Sequence, residues 1–210
     1  FQEFMIMPVG FETLREAVRA GAEIYKSLGQ LLESRNLNTN VGDEGGFAPP
    51  NQSNTMAIEF VLEATEKAGY EPGKDCFVAL DIASSEFFKD GIYHLDQEGL
   101  HLTSEELITY YSKWLDNYPI ISIEDALSDD DRDGWIKMTK LLGNKIQLVG
   151  DDLFATDTKR IIKGVELDTG NAVLIKPNQI GTLTETMDAL VATKGSGWGT
   201  IVSHRSGETE

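Results

Sequence analysis

Residues 146–178 read IQLVGDDLFATDTKRIIKGVELDTGNAVLIKPN. The stretch holds two short apolar runs, Ile146 to Asp152 and Ala172 to Asn178, around a segment whose apolar residues Ile161, Ile162 and Val165 recur at helical spacing behind Thr156. The runs are apolar nearly throughout and do not alternate, as expected of strands covered on both faces. Strand, helix, strand at this length is one β/α unit, which implies a parallel sheet with right-handed crossovers.

The same unit recurs on either side. Three further strands are expected at Phe77 to Ala83, Ile120 to Ala126 and Gly199 to Arg205, and another at Phe1 to Met7. Between them Thr103 and Glu106 form a capping box ahead of Leu107, Tyr110, Tyr111, Trp114 and Leu115. Asp129 to Asp131 place negative charge before Trp135, Met138, Leu141 and Leu142, at the positive end of a helix dipole. Thr182 and Glu185 open a helix through Leu183, Met187, Leu190 and Val191. Upstream, Phe11, Leu14, Val18, Ala22, Tyr25, Leu28 and Leu32 mark one long helix, and Ile58, Val61, Leu62 and Thr65 mark another that ends near Gly69.

Each of the five later strands ends in a polar group: Asp81, Glu124, Asp151, Lys176 and His204, at steps of 43, 27, 25 and 28 positions. Steps of one β/α unit raise these groups toward one rim. A barrel points its strand ends at a common mouth, whereas an open doubly wound sheet spreads them along an edge. The expected fold class is therefore α/β, a (β/α)8 barrel of the TIM type.

Any one of Asp81, Glu124 and Asp151 reads as well as a helix cap or a loop carboxylate. Three on one rim repel unless protonated or bound to a cation, and oxygen-only ligands suit a hard ion such as Mg²⁺. Lys176, at the end of an apolar strand, either pairs with a carboxylate or serves as a base. GDEGGFA, residues 42–48, is a tight turn or a close backbone approach to a ligand. In SHRSGE, residues 203–208, Arg205 and Ser206 have the donors that grip phosphate, with a solvated turn as the alternative. His94 and His101, in a polar stretch, receive no role.

Composition is that of an ordinary soluble globular chain, 210 residues with 40% hydrophobic and 25% charged side chains. A formal charge of −17 repels nucleic-acid phosphates and anionic lipid surfaces, so direct nucleic-acid binding is not expected. The single cysteine, Cys76, forms no internal disulfide and reads as a buried thiol. No run approaches the length of a membrane span. The expected location is the cytoplasm.

FQEFMIMP, VGDEGGFAP, LDIASSEFF, SIED, VGDDL, KPNQIGTL and SHRSGETE stand in one order along the chain, and with them it resembles the enolase family, its bacterial forms in particular, over essentially all 210 positions. The resemblance implies the enolase-superfamily barrel, here residues 1–210 of a catalytic domain cut at both ends. The N-terminal capping domain and the last barrel units would lie outside, leaving the segment alone unstable and inactive. It implies a Mg²⁺-dependent lyase interconverting 2-phosphoglycerate and phosphoenolpyruvate. Asp81, Glu124 and Asp151 would hold Mg²⁺, Lys176 would take the C2 proton, and Glu44 with Glu3 would form the acid pair. Gln2, His204, Arg205 and Ser206 would bind substrate with Glu3, Glu124, Asp151 and Lys176, and Asp152 and Gln179 would lie behind them. A Lys or His base working beside one or two Mg²⁺ ions is the known pattern of enolase-superfamily sites, so that part of the chemistry comes with the resemblance and not from strand spacing. Ala126 and Arg132 depart from the family pattern, which commonly has Pro or Gly and Trp there, with small effects expected. A homodimer or octamer is implied, and non-catalytic roles at the cell surface, as a secreted plasminogen binder or in RNA-degrading assemblies, stand as the alternative class.

Overall fold

A computed structural model describes residues 1–50 and 53–205. In chain order the elements are β1 (Glu3–Met7), α1 (Leu14–Ser34), α2 (Asn54–Lys67), β2 (Phe77–Asp81), β3 (Phe88–Lys89), β4 (Ile92–Leu95), β5 (Leu100–Leu102), α3 (Ser104–Asn117) and β6 (Ile120–Glu124). There follow α4 (Arg132–Leu142), β7 (Gln147–Gly150), α5 (Thr158–Leu167), β8 (Ala172–Ile175), α6 (Pro177–Ile180), α7 (Leu183–Gly195) and β9 (Gly199–Val202). The chain forms two compact units, one from Phe1–Leu80 and Trp114–Ile121, the other from Asp81–Lys113 and the chain from Ser122 onward.

In the first unit β1 neighbours β2, and β2 neighbours the start of β6, where Val78 donates its N–H to the Pro119 carbonyl (2.9 Å). Thr13 starts α1 by accepting the Glu16 N–H (3.2 Å), and Ser53 starts α2 by accepting that of Met56 (3.2 Å), each satisfying a donor that the first turn leaves unpaired. Ile24, Leu31 and Leu32 of α1 meet Phe60 and Ala64 of α2 and Cys76 in one buried cluster. Each large apolar side chain so buried stabilises the unit by about 1.5–3 kcal/mol. Burial also pushes the Cys76 thiol up, the first cause of its shift, with Asp75 adding to it.

In the second unit β6, β7, β8 and β9 lie side by side in that order and run parallel, with Glu124 opposite Val149, Val149 opposite Ala172, and Ile175 opposite Val202. Phe154, Ile161, Val173, Ile175 and Ala189 fill the space between the sheet and helices α5 and α7. Two glycines admit the Phe154 ring: a Cβ at Gly150 would stand 2.5 Å from it, and one at Gly164 2.4 Å. Asn171 ties β7 to its neighbours, accepting the Leu148 N–H (2.7 Å) and donating to the Gly143 and Ile146 carbonyls (2.9 Å each).

The capping boxes at Thr103 and Thr182 form as expected, with Glu106 accepting the Thr103 N–H (2.9 Å) and Thr182 accepting the Glu185 N–H (3.2 Å). Helix α5 follows Thr156 as expected, and its cap is Asp157, which accepts the Lys159 and Arg160 N–H groups at 2.8 and 3.0 Å. One expectation is corrected. The five later strands end earlier than their apolar runs; after β2, β6 and β8 the backbone turns into left-handed conformations at Ala83 (φ 47°) and Asp125 (φ 41°) and into a helix at Pro177. The polar stretch 88–102 folds into a three-stranded antiparallel sheet, β3-β4-β5, that periodicity did not suggest.

Candidate active site

The rim group lies in the second unit. Asp81 and Glu124 are the last residues of β2 and β6, while Asp151 and Lys176 are the first residues beyond β7 and β8. The parallel ladder continues past these ends. Ile82 donates to the Glu124 carbonyl (3.0 Å), Asp125 to Val149 (3.0 Å) and Ser203 to Ile175 (3.1 Å), so each departing chain stays tethered to its neighbour.

Glu124 and Asp151 are buried, at 9% and 8% exposure. Burial raises the Glu124 carboxyl to about 9, helped by the negative charges of Asp81, Asp151 and Asp125 and opposed by Lys176. Glu124 thus has Asp81, Asp151 and Lys176, three of the other four strand-end groups, among its charged neighbours, together with Asp125, which strand spacing did not single out. Lys176 Nζ forms an ion pair with Asp151 Oδ2, the pairing that the sequence left open beside base work. Asp151 Oδ1 is buried and has no hydrogen-bond partner among the described residues. A buried carboxylate oxygen left unpaired, with oxygen donors around it, fits a hard divalent cation.

Three ligand oxygens, one each from Asp125, Asp151 and Asp152, lie within 4.8 Å of one another. Asp125 is nonetheless a scaffold. Its Oδ1 accepts the Asp151 N–H (2.8 Å) and its Oδ2 that of Asp152 (3.0 Å), so both oxygens hold the backbone that presents Asp151. Burial lifts Asp125 to about 7 against the pull of those two donors. Burial also raises Asp152, with Asp151 as the second cause.

The loop after β6 is bound by three aromatic side chains. Tyr111 donates to the Ala126 carbonyl (2.8 Å), and Trp135 Nε1 donates to the Leu127 and Ser128 carbonyls (3.1 Å each). Tyr93 accepts the Ser128 N–H (3.0 Å) and donates to Asp131 (2.8 Å). Ala126 takes part through its carbonyl, so the departure from Pro or Gly leaves that bond intact.

Thr156 has a role its sequence position concealed. It is fully buried with φ 53°, a costly conformation for a β-branched residue. Its hydroxyl accepts the Lys176 N–H (2.9 Å) and donates toward Leu174 O (3.4 Å) or Gln179 Oε1 (3.3 Å). It fixes the backbone of Lys176 and meets the Gln179 amide. No sequence signal separates this threonine from an N-cap.

Beyond β9, Arg205 Nε is buried and has no hydrogen-bond partner among the described residues, which suits a donor that grips an anion. His204 stands beside it, its carbonyl accepting from Ser203 Oγ (2.8 Å). Ser206 lies outside the described residues.

Gln2, Glu3 and Glu44 belong to the first unit. Gln2 is exposed ahead of β1, and Glu3 opens that strand. Glu44 is exposed in a loop closed by Gly42 N–H to Gly46 O (2.9 Å) and Gly45 N–H to Gly42 O (3.0 Å), with Gly45 at φ 85°. Tyr25 of α1 stacks on Phe47 (4.4 Å between centroids) and donates to Gly45 O (3.0 Å), so the loop is held from the helix.

Residues 1–210 match the family model described as "Enolase, C-terminal TIM barrel domain". This chain belongs to the enolase family. It is 57% identical over 209 residues to "Enolase 1" of Methanospirillum hungatei JF-1, an alignment covering 100% of this chain and 49% of that relative. The chain thus spans about half the length of that relative. The enolase match decides for the TIM-type α/β barrel and against the open sheet. Among the described residues no helix is long and apolar enough to cross a membrane.

Proposed function

We propose that the protein to which this chain belongs is a Mg²⁺-dependent lyase that reversibly removes water from 2-phosphoglycerate to give phosphoenolpyruvate, in glycolysis and gluconeogenesis. Asp81, Glu124 and Asp151 would hold the Mg²⁺. The supporting observation is Asp151 itself, one oxygen paired with Lys176 and the other buried without a partner among the described residues, beside Glu124 and Asp81.

Bound there, Mg²⁺ would supply positive charge against the substrate carboxylate as electrons move onto it, and would compete with Lys176 for Asp151. Lys176 Nζ takes the proton from C2. Thr156 keeps the Lys176 backbone in place, so the amine works from a fixed root. Glu44, assisted by Glu3, delivers a proton to the departing C3 hydroxyl, since hydroxide is too basic to leave unaided. Arg205 and Ser206 bind the phosphate, with His204, Gln2 and Gln179 lining the site. An unphosphorylated substrate would give Arg205 no charge to match. The intact enzyme is proposed to act in the cytoplasm as a homo-oligomer.

The test is Mg²⁺-dependent formation of phosphoenolpyruvate from 2-phosphoglycerate, followed by ultraviolet absorbance, using the intact protein and its Lys176→Ala variant. Wild-type activity lost in the variant supports lyase and base together. A folded, Mg²⁺-loaded wild-type protein that turns over nothing overturns the reading.

A further inference from the structure

We propose that the β4–β5 hairpin carries a second cation site, for a borderline transition ion such as Zn²⁺, formed by His94, Asp96 and His101. Two neighbouring strands and one turn build it. The antiparallel register sets His94 opposite His101, and the two Nδ1 atoms stand 2.9 Å apart. Tyr93 and Leu95 are buried, so strand alternation turns His94 and then Asp96 to the outer face.

The turn Asp96–Glu98 is closed by Gly99 in the left-handed conformation (φ 66°), which returns the chain so that His101 meets His94. A loop longer or shorter by one residue would put position 101 on the other face. One nitrogen of each imidazole and one carboxylate oxygen of Asp96 then lie within 4.8 Å of one another.

Donor chemistry selects the ion. Two imidazoles and one carboxylate favour Zn²⁺, Cu²⁺ or Ni²⁺, whereas Mg²⁺ prefers oxygen alone. Nitrogens bound at about 2.0–2.1 Å in a tetrahedron stand about 3.3 Å apart, so the rings need open by only a few tenths of an ångström. Asp96 supplies negative charge, and water completes the shell. With no metal, the 2.9 Å contact is a hydrogen bond in which one Nδ1 keeps its proton and the other accepts it. Metal binding moves that proton to Nε2 of the same ring, which leaves both Nδ1 lone pairs for the ion. A surface histidine pair held only by that hydrogen bond is the competing account.

Zn²⁺ is titrated calorimetrically into the intact protein with Mg²⁺ in large excess, which competes at the all-oxygen carboxylates. The expected result is one equivalent of bound Zn²⁺ whose affinity falls roughly tenfold or more in His101→Gln and in His94→Gln and is unchanged in Asp81→Asn. In a second measurement, electron paramagnetic resonance of the Cu²⁺-loaded wild-type protein shows coupling to two imidazole nitrogens, lost in His101→Gln. Equal Zn²⁺ affinity in wild type and His101→Gln overturns the proposal, as does a Cu²⁺ spectrum without nitrogen coupling. A wild-type spectrum without nitrogen coupling overturns the proposal even if a variant fails to fold.

Discussion

Replacing Glu124 by Gln keeps the shape and removes the charge that its surroundings resist. In the metal-free protein the Glu124 carboxyl is raised to about 9 from an ordinary 4.5, mainly by burial. A carboxyl raised on folding contributes its full stability below the unfolded value and loses it as pH climbs toward the folded value. Between these limits the native chain holds a proton that the unfolded chain gives up, at about 1.4 kcal/mol per pH unit. At about pH 7.5 that cost reaches about 4 kcal/mol as an upper bound, and relaxation with water entry lowers it to about 1–3 kcal/mol.

Gln is neutral at every pH and bears no such cost. Urea unfolding of the intact protein in EDTA should therefore find Glu124→Gln equal to wild type near pH 4.5 and increasingly more stable above it. Saturating Mg²⁺ should reverse the order, because an ion at 100 times its dissociation constant stabilises by about 2.7 kcal/mol only the protein that binds it. Parallel pH profiles of the two proteins in EDTA would refute the reasoning, since Asp81, Asp125 and Asp151 are common to both.

Tyr93→Phe strips the buried Ser128 N–H and Asp131 of a shared partner at almost unchanged volume, and should cost about 1–3 kcal/mol in urea unfolding. Gly164→Ala drives a methyl into the Phe154 ring and should lower stability by about 1–3 kcal/mol, while Gly195→Ala, with open space around its Cβ, should cause no loss. Cys76, buried and with its thiol pushed up, should react with a disulfide reagent only after unfolding, a difference read directly from the rate with and without urea.

Much of the fold was legible because its code is local. Apolar runs marked the parallel strands, and Thr-x-x-Glu boxes at Thr103 and Thr182 marked helix starts. Asp81, Glu124, Asp151 and Lys176 were readable as a group because strand ends sum to a rim. The functions of Asp125 and Thr156 were not, because each acts through backbone partners about 20 residues or more away. Hydrogen-bond partners tell a carboxylate that grips N–H groups from one that faces a ligand, since Asp125 and Asp151 are equally buried, and those partners are invisible along the chain. The β3-β4-β5 sheet was missed for a related reason, its exposed face being polar enough to read as loop.

The clamp that Asp125 makes on the Asp151 and Asp152 N–H groups bears on transplantation. A designer who copies Asp81, Glu124, Asp151 and Lys176 onto another parallel barrel copies four side chains and not the peptide that aims one of them. Without a carboxylate just past the C-terminal end of the neighbouring strand, the grafted aspartate would swing with its loop. The smallest portable version of this rim therefore includes Asp125, a residue that need never touch a substrate.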